Sequence, residues 1–380
     1  MNTPPTAIFT LRLTLARATA WALLLAGWVG IGGVALSLTP NLLVVFALTG
    51  LWLLALGVAA TVATRDSLRA RSRRVGLGLF AALTASALVW ATRDGGLPAL
   101  IAALCGWAVL TALASGVVRS IRLSHAARPR PPIVAASLGA MCAALALADP
   151  GDAQALTLRL GALVVAAAIA PALLQIGDRH AIAASRCRAG LFDCSLPAWP
   201  VGAWHDPQQW PALLAGLAML PMMAALPMVA AWCRAQSIAP QSMVALHFAA
   251  MFAPALLLRR SIARWSPRTL SLVCAALLAS GAAAAIWASP PLDMLGVAFA
   301  HGAAWSLAWT GQLWSPDRRS SQGTSPLRAG IGYAALTMVV GLAVEQHGPS
   351  GLAIAHAALG TAAALAWGYG LATRDHVAAG

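Results

Sequence analysis

Residues 42–74 read LLVVFALTGLWLLALGVAATVATRDSLRARSRR: an uncharged apolar run over 42–63, then a link carrying Arg65, Arg69, Arg71, Arg73 and Arg74 beside one acidic residue, Asp66. A run of about 20 apolar residues is what a helix needs to cross the hydrocarbon core of a bilayer. Inside lipid the backbone must satisfy its own hydrogen bonds, so the run reads as a helix and nothing else. The basic link marks the side on which that helix ends as cytoplasmic.

The same alternation continues in both directions. Apolar runs at 17–38, 42–63, 75–92, 97–118, 132–148, 157–176, 210–232, 241–258, 269–288, 293–314, 329–345 and 351–372 predict an all-α membrane protein with twelve transmembrane helices. All 25 basic residues are Arg. With the N-terminus placed in the cytoplasm, only Arg93, Arg159 and Arg234 fall outside. One miscounted span would invert that bias, so the Arg pattern supports the count and places both termini in the cytoplasm.

Composition agrees: 60% hydrophobic residues, 9% charged and a mean hydropathy of +0.76 exclude a soluble domain. The net charge of +14 lies in links between spans rather than on one folded surface, so the expected partner is the lipid bilayer and not a nucleic acid. Six cysteines without a CxxC imply neither a disulfide framework nor a zinc knuckle. Cys105, Cys142 and Cys274 read as small apolar residues within spans. Neither an enzyme nor a tightly bound cofactor is expected.

The longest link divides the chain into an N-terminal six-helix half (1–176), a cytoplasmic connector (177–209) and a C-terminal six-helix half (210–380). The connector carries Trp199 and Trp204, residues that favour the membrane interface. RDSLRARSRR after the second span has a counterpart, RRSIARWSPR, after the eighth. This arrangement resembles the major facilitator superfamily, whose two six-helix halves rock around a central site. The superfamily's usual pattern in the first of these links is met by Asp66, Arg69, Arg73 and Arg74 without its glycines.

Ionisable side chains inside a membrane are functional candidates by default. Here every Asp and Glu falls at a span end or in a link, which argues against a membrane-embedded carboxylate for protons or cationic drugs. Soft neutral groups remain. AMLPMMAALPMVAAWC in the seventh span and MVALHFAAMFAP in the eighth put Met219 and Met223 on one helix face and His247 and Met251 on another. Thioethers and imidazole suit Cu(I), whereas magnesium, calcium and manganese want oxygen ligands. Against this stand plainer readings: methionine as core filling and His247 as a hydrogen bond between helices. Weaker candidates are His301, Cys233 and Met243 as auxiliary ligands, His356 as a structural residue, and Cys187 and Cys194 near His180 and His205 in the connector.

MxxxM followed by HxxxM resembles the CcoA-type copper importers, major facilitator proteins that supply copper for cbb-type cytochrome oxidase assembly. The resemblance implies a copper importer of the bacterial cytoplasmic membrane, working by alternating access. It implies Met219, Met223, His247 and Met251 as ligands, Cu(I) as transported substrate, and a cytoplasmic copper chaperone as a further partner. The family also includes riboflavin carriers, so an importer of an organic solute stays open, with Trp21, Trp28 and Trp107 of the first half available to line a cavity. A copper sensor or assembly factor that binds the ion without moving it is the third reading.

Overall fold

The computed structural model describes residues 7–65, 70–123, 133–147, 152–174, 240–262, 264–287, 292–314 and 326–348, with scattered positions within 223–228 and 351–365. All regular structure among the described residues is helical. The chain divides into two compact units, residues 1–40, 47–198 and 325–334 in the first and 41–46, 199–324 and 335–380 in the second.

The first unit is built on α1 (Ala7–Leu38), α2 (Leu42–Arg65), α3 (Ala70–Trp90), α4 (Gly96–Leu123), α5 (Ile133–Ala146) and α6 (Ala153–Leu174). Asn and Asp at helix starts supply the missing partners for first-turn N–H groups. Asn41 Oδ1 accepts from Val44 N at 3.0 Å, and Asp152 Oδ1 accepts from Gln154 N and Ala155 N at 2.9 and 3.0 Å. α1 packs on α4, α5 and α6, while α3 packs on α4 and α6. Small residues permit the close approaches. A Cβ on Gly139 of α5 would lie 2.5 Å from the Ala18 carbonyl oxygen of α1.

The turn between α3 and α4 contains no loop. Helix α3 passes into a single π-turn, Ala91–Gly95, and Gly96 at φ 52° and ψ −145° then reverses the chain into α4. That backbone conformation is open essentially to glycine alone. Thr92 in the turn meets Thr157 of α6, hydroxyl to hydroxyl, at 3.3 Å.

The second unit contains α7 (Pro240–Leu257), a short helical turn (Arg259–Ile262), α8 (Pro267–Trp287) and α9 (Leu292–Trp314), with most of α10 (Pro326–His347). α9 packs on both α7 and α8, and every residue from 300 to 310 is buried. Apart from His301, the stretch HGAAWSLAWT is accordingly apolar or small on all sides, as a helix covered by neighbours must be.

α2 and α10 run antiparallel and cap each other. In the second unit Leu43 N, in the first turn of α2, donates to Glu345 Oε2 near the end of α10 at 3.1 Å. In the first unit Leu327 N, in the first turn of α10, donates to Thr61 Oγ1 near the end of α2 at 3.1 Å. Glycines line the seam between these caps. A Cβ on Gly330 would lie 2.9 Å from Leu53 O, and one on Gly341 would lie 2.6 Å from Phe46 Cβ. Without a hydrophobic force between helices in lipid, such close backbone packing is what holds a pair together.

Among the described residues five segments, Thr10–Leu38, Leu42–Ala63, Ser72–Val118, Ala153–Pro171 and Arg268–Trp287, are long and apolar enough to cross a membrane, and the protein is a multi-pass membrane protein. Of the spans expected from sequence, the seventh and twelfth lie largely outside the described residues. Several helices begin earlier than hydropathy alone places them, whereas α5, at Ile133–Ala146, is shorter than the expected 132–148. α1 starts at Ala7 rather than 17, and α6 at Ala153 rather than 157. Hydropathy marks where a helix meets hydrocarbon, but the helix itself runs on to the nearest cap or breaker.

Candidate functional site

His247 sits in the middle of α7, fully buried, with Met251 one turn further along and also fully buried. Its ring is held by α9: Nδ1 lies 2.8 Å from the Ala298 carbonyl oxygen. A carbonyl can only accept, so Nδ1 carries the proton and Nε2 keeps its lone pair. Nε2 is buried and has no hydrogen-bond partner in the described structure.

The contacts between α7 and α9 keep one register. His247 meets Ala298, and Ala255 N donates to Ser306 Oγ at 3.1 Å, each pair 51 residues apart. Between them Gly302 lets the helices touch. A Cβ there would lie 2.9 Å from Ala250 Cβ and 3.0 Å from His247 O. A constant offset means that the two helices run parallel, and Gly302 is the residue that brings the imidazole against α9.

The other sequence candidates are placed as follows. Met223 is helical and fully buried, and Met243 on α7 is fully buried. Met219, Cys233, Cys187, Cys194, His180, His205 and the side chain of His356 lie outside the described residues. His301, on α9 and fully buried, faces α8: a Cβ on Gly281 would lie 3.3 Å from its Cδ2. Among the described residues no three His, Cys, Asp or Glu side chains gather as a metal site.

Two aromatic groups complete the picture, each inside one unit. In the second unit Trp305 and Trp309, one turn apart on α9, stack at 5.2 Å with an interplanar angle of 11°. Phe252 of α7 meets Trp305 edge-on at 5.7 Å. In the first unit Trp28 of α1, Trp52 of α2 and Trp107 of α4 are among the largest fully buried side chains. Trp28 and Trp52 lie 6.2 Å apart between ring centroids. Trp107 Nε1 donates to the Leu23 carbonyl at 2.9 Å. The indole nitrogens of Trp28 and Trp52 are buried without a partner among the described residues. Sequence reasoning names Trp28 and Trp107 but misses Trp52. The available signal was Gly27, whose missing Cβ leaves room for the Trp52 and Trp107 rings at 2.9 and 2.8 Å.

No family model matches the chain, and no curated protein does. Its likeness is to solved structures. The crystal structure of the nucleoside transporter NupG is similar with a TM-score of 0.63 at 16% identity, over 97% of this chain and 99% of that one. A partially occluded, inward-open form of the xylose transporter XylE from E. coli is similar with a TM-score of 0.58 at 14% identity, over 94% and 98% of the two chains. A crystal structure of a D-xylose-proton symporter is similar with a TM-score of 0.55 at 13% identity, over 95% and 97%. At such identities the shared property is the fold.

Proposed function

We propose that the protein is a membrane transporter of the major facilitator type, not an enzyme, and that its cargo is a small organic solute moved by alternating access. The observation that carries this reading is the fold. It is the fold of a nucleoside transporter and of xylose transporters, matched along nearly the whole chain. Acidic residues confined to span ends and links fit a neutral cargo better than a cation.

One observation favours a second reading, copper import. His247 presents a buried Nε2 with no hydrogen-bond partner among the described residues and Met251 one turn away, a soft donor pair suited to Cu(I). On that reading Met219 and Met223 complete the ligand set, copper is the cargo, and a cytoplasmic chaperone receives it. Copper has no support from the similar structures, whose named cargoes are nucleosides and xylose.

Uptake into sealed proteoliposomes decides between the two. Labelled uridine, xylose and riboflavin are compared with Cu(I), using the parent protein and His247→Ala. Accumulation of an organic solute but not of copper is the expected result. Accumulation of copper alone, lost in His247→Ala, would establish the second reading in place of the first.

A further inference from the structure

We propose that Trp28, Trp52 and Trp107 form a substrate-recognition surface in the first unit, and that its ligand is a neutral heteroaromatic solute bearing ring carbonyl oxygens. The proposal rests on the organic-solute reading above and narrows it.

The three indoles come from three helices, α1, α2 and α4; the Trp52 and Trp107 rings meet where Gly27 removes a side chain from α1, and Trp28 neighbours Trp52. Trp28 and Trp52 stand 6.2 Å apart with their planes inclined at 44°. The roles of their N–H groups differ. Trp107 Nε1 is committed to the Leu23 carbonyl, which fixes that ring to α1. Among the described residues Trp28 Nε1 and Trp52 Nε1 have no hydrogen-bond acceptor, although both side chains are at most 1% exposed.

An unpaired buried donor costs folding free energy, about 1 to 3 kcal/mol, and folded proteins rarely keep one. Phenylalanine would fill most of the same space without that cost. Two such donors on neighbouring rings are accounted for if a partner arrives only during part of the working cycle. Rings with no exposed surface place that partner in a closed state, reached when the helices of the unit part and re-form around it.

The chemistry of the surface selects the partner. An indole offers a hydrogen-bond donor, a π-face and no acceptor. A monosaccharide presents hydroxyls that must donate as well as accept, so a donor-only surface leaves half of them unpaired. A metal ion needs lone pairs, which these rings lack. A planar heterocycle with ring carbonyls matches both features, stacking on the faces and accepting from the two N–H groups.

The test is equilibrium binding to the purified full-length protein in lipid nanodiscs. The probes are uridine, inosine, riboflavin and xylose, and the variants are Trp28→Phe, Trp52→Phe and the double variant, with melting temperatures recorded for each. We expect uridine, inosine or riboflavin to bind in preference to xylose. Each Phe variant should weaken that binding roughly fivefold, the effect of one lost hydrogen bond, without lowering the melting temperature. A ligand-side comparison needs no variant. Purine riboside, which lacks the carbonyl of inosine, should bind the parent protein roughly fivefold more weakly than inosine. Unchanged affinity in both Phe variants, or a parent protein that binds xylose or Cu(I) but none of the heterocycles, would overturn the proposal. Binding that obeys it without accumulation in proteoliposomes would instead overturn the transport reading and leave the site standing.

Discussion

The carboxylate of Glu345 accepts the backbone N–H of Leu43 at 3.1 Å, closing the start of α2 with a side chain 302 residues away. Thr61 does the same for Leu327 at the start of α10. Each helix thus supplies the other's cap, one cap within each unit. Glu345→Ala and Thr61→Val should each lower stability by about 0.5 to 1.5 kcal/mol, read as a fall in melting temperature in nanodiscs. Because the two caps share no partner, the double variant should lose the sum of the two. A double variant no less stable than either single one would refute independent caps.

Gly302 sets how near α7 and α9 can come. Gly302→Ala should cost about 1 to 3 kcal/mol, because the new methyl meets the Ala250 methyl and the His247 carbonyl oxygen together. Ala250→Gly in the same chain should recover only part of the loss, since the backbone oxygen stays where it is. Full recovery would show that the methyl contact alone was limiting.

His247 has a structural share that can be measured apart from any ligand. His247→Ala should destabilise by about 2 to 4 kcal/mol through the cavity it leaves, while His247→Phe, which refills that volume, should cost about 1 kcal/mol. Equal losses in both variants would mean that the hydrogen bond to Ala298, not packing, carries the contribution of the ring.

Gly96 holds a conformation that side-chain-bearing residues resist, with φ at 52°. Gly96→Ala should therefore cost about 1 to 3 kcal/mol, although the nearest atom to the new methyl is 4.0 Å away. The control is Gly78→Ala, where nothing lies within 4 Å and the backbone is that of an ordinary helix, so stability should be unchanged or slightly higher. A harmless Gly96→Ala would mean that the turn relaxes.

Much of this architecture is legible from hydropathy, because lipid leaves the backbone so few options. The α3–α4 hairpin follows from GG at 95–96 between two apolar runs. The π-turn inside it does not, since nothing in ATRDG distinguishes it from a short loop. The burial of Met223, His247 and Met251 fits their place within spans, but which neighbour each one meets depends on register, and the sequence carries no measure of register. Trp52 shows the limit most clearly. It lies in an unremarkable leucine-rich run, and only the position of Gly27 on another helix reveals its neighbours. The mutual caps of α2 and α10 join residues hundreds of positions apart, a pairing no local pattern encodes.

The fixed offset between α7 and α9 has a bearing on divergence. α8 and its two links occupy the interval between these helices, and the three contact points constrain the helices, not the distance in sequence that separates them. A relative could lengthen or shorten those links without penalty, whereas one inserted residue between Gly302 and Ser306 would turn the serine away from Ala255 and carry the rest of α9 out of phase. Distant kin are therefore best recognised by spacing: a small residue and, four places on, a hydroxyl, facing a histidine with an alanine eight places on.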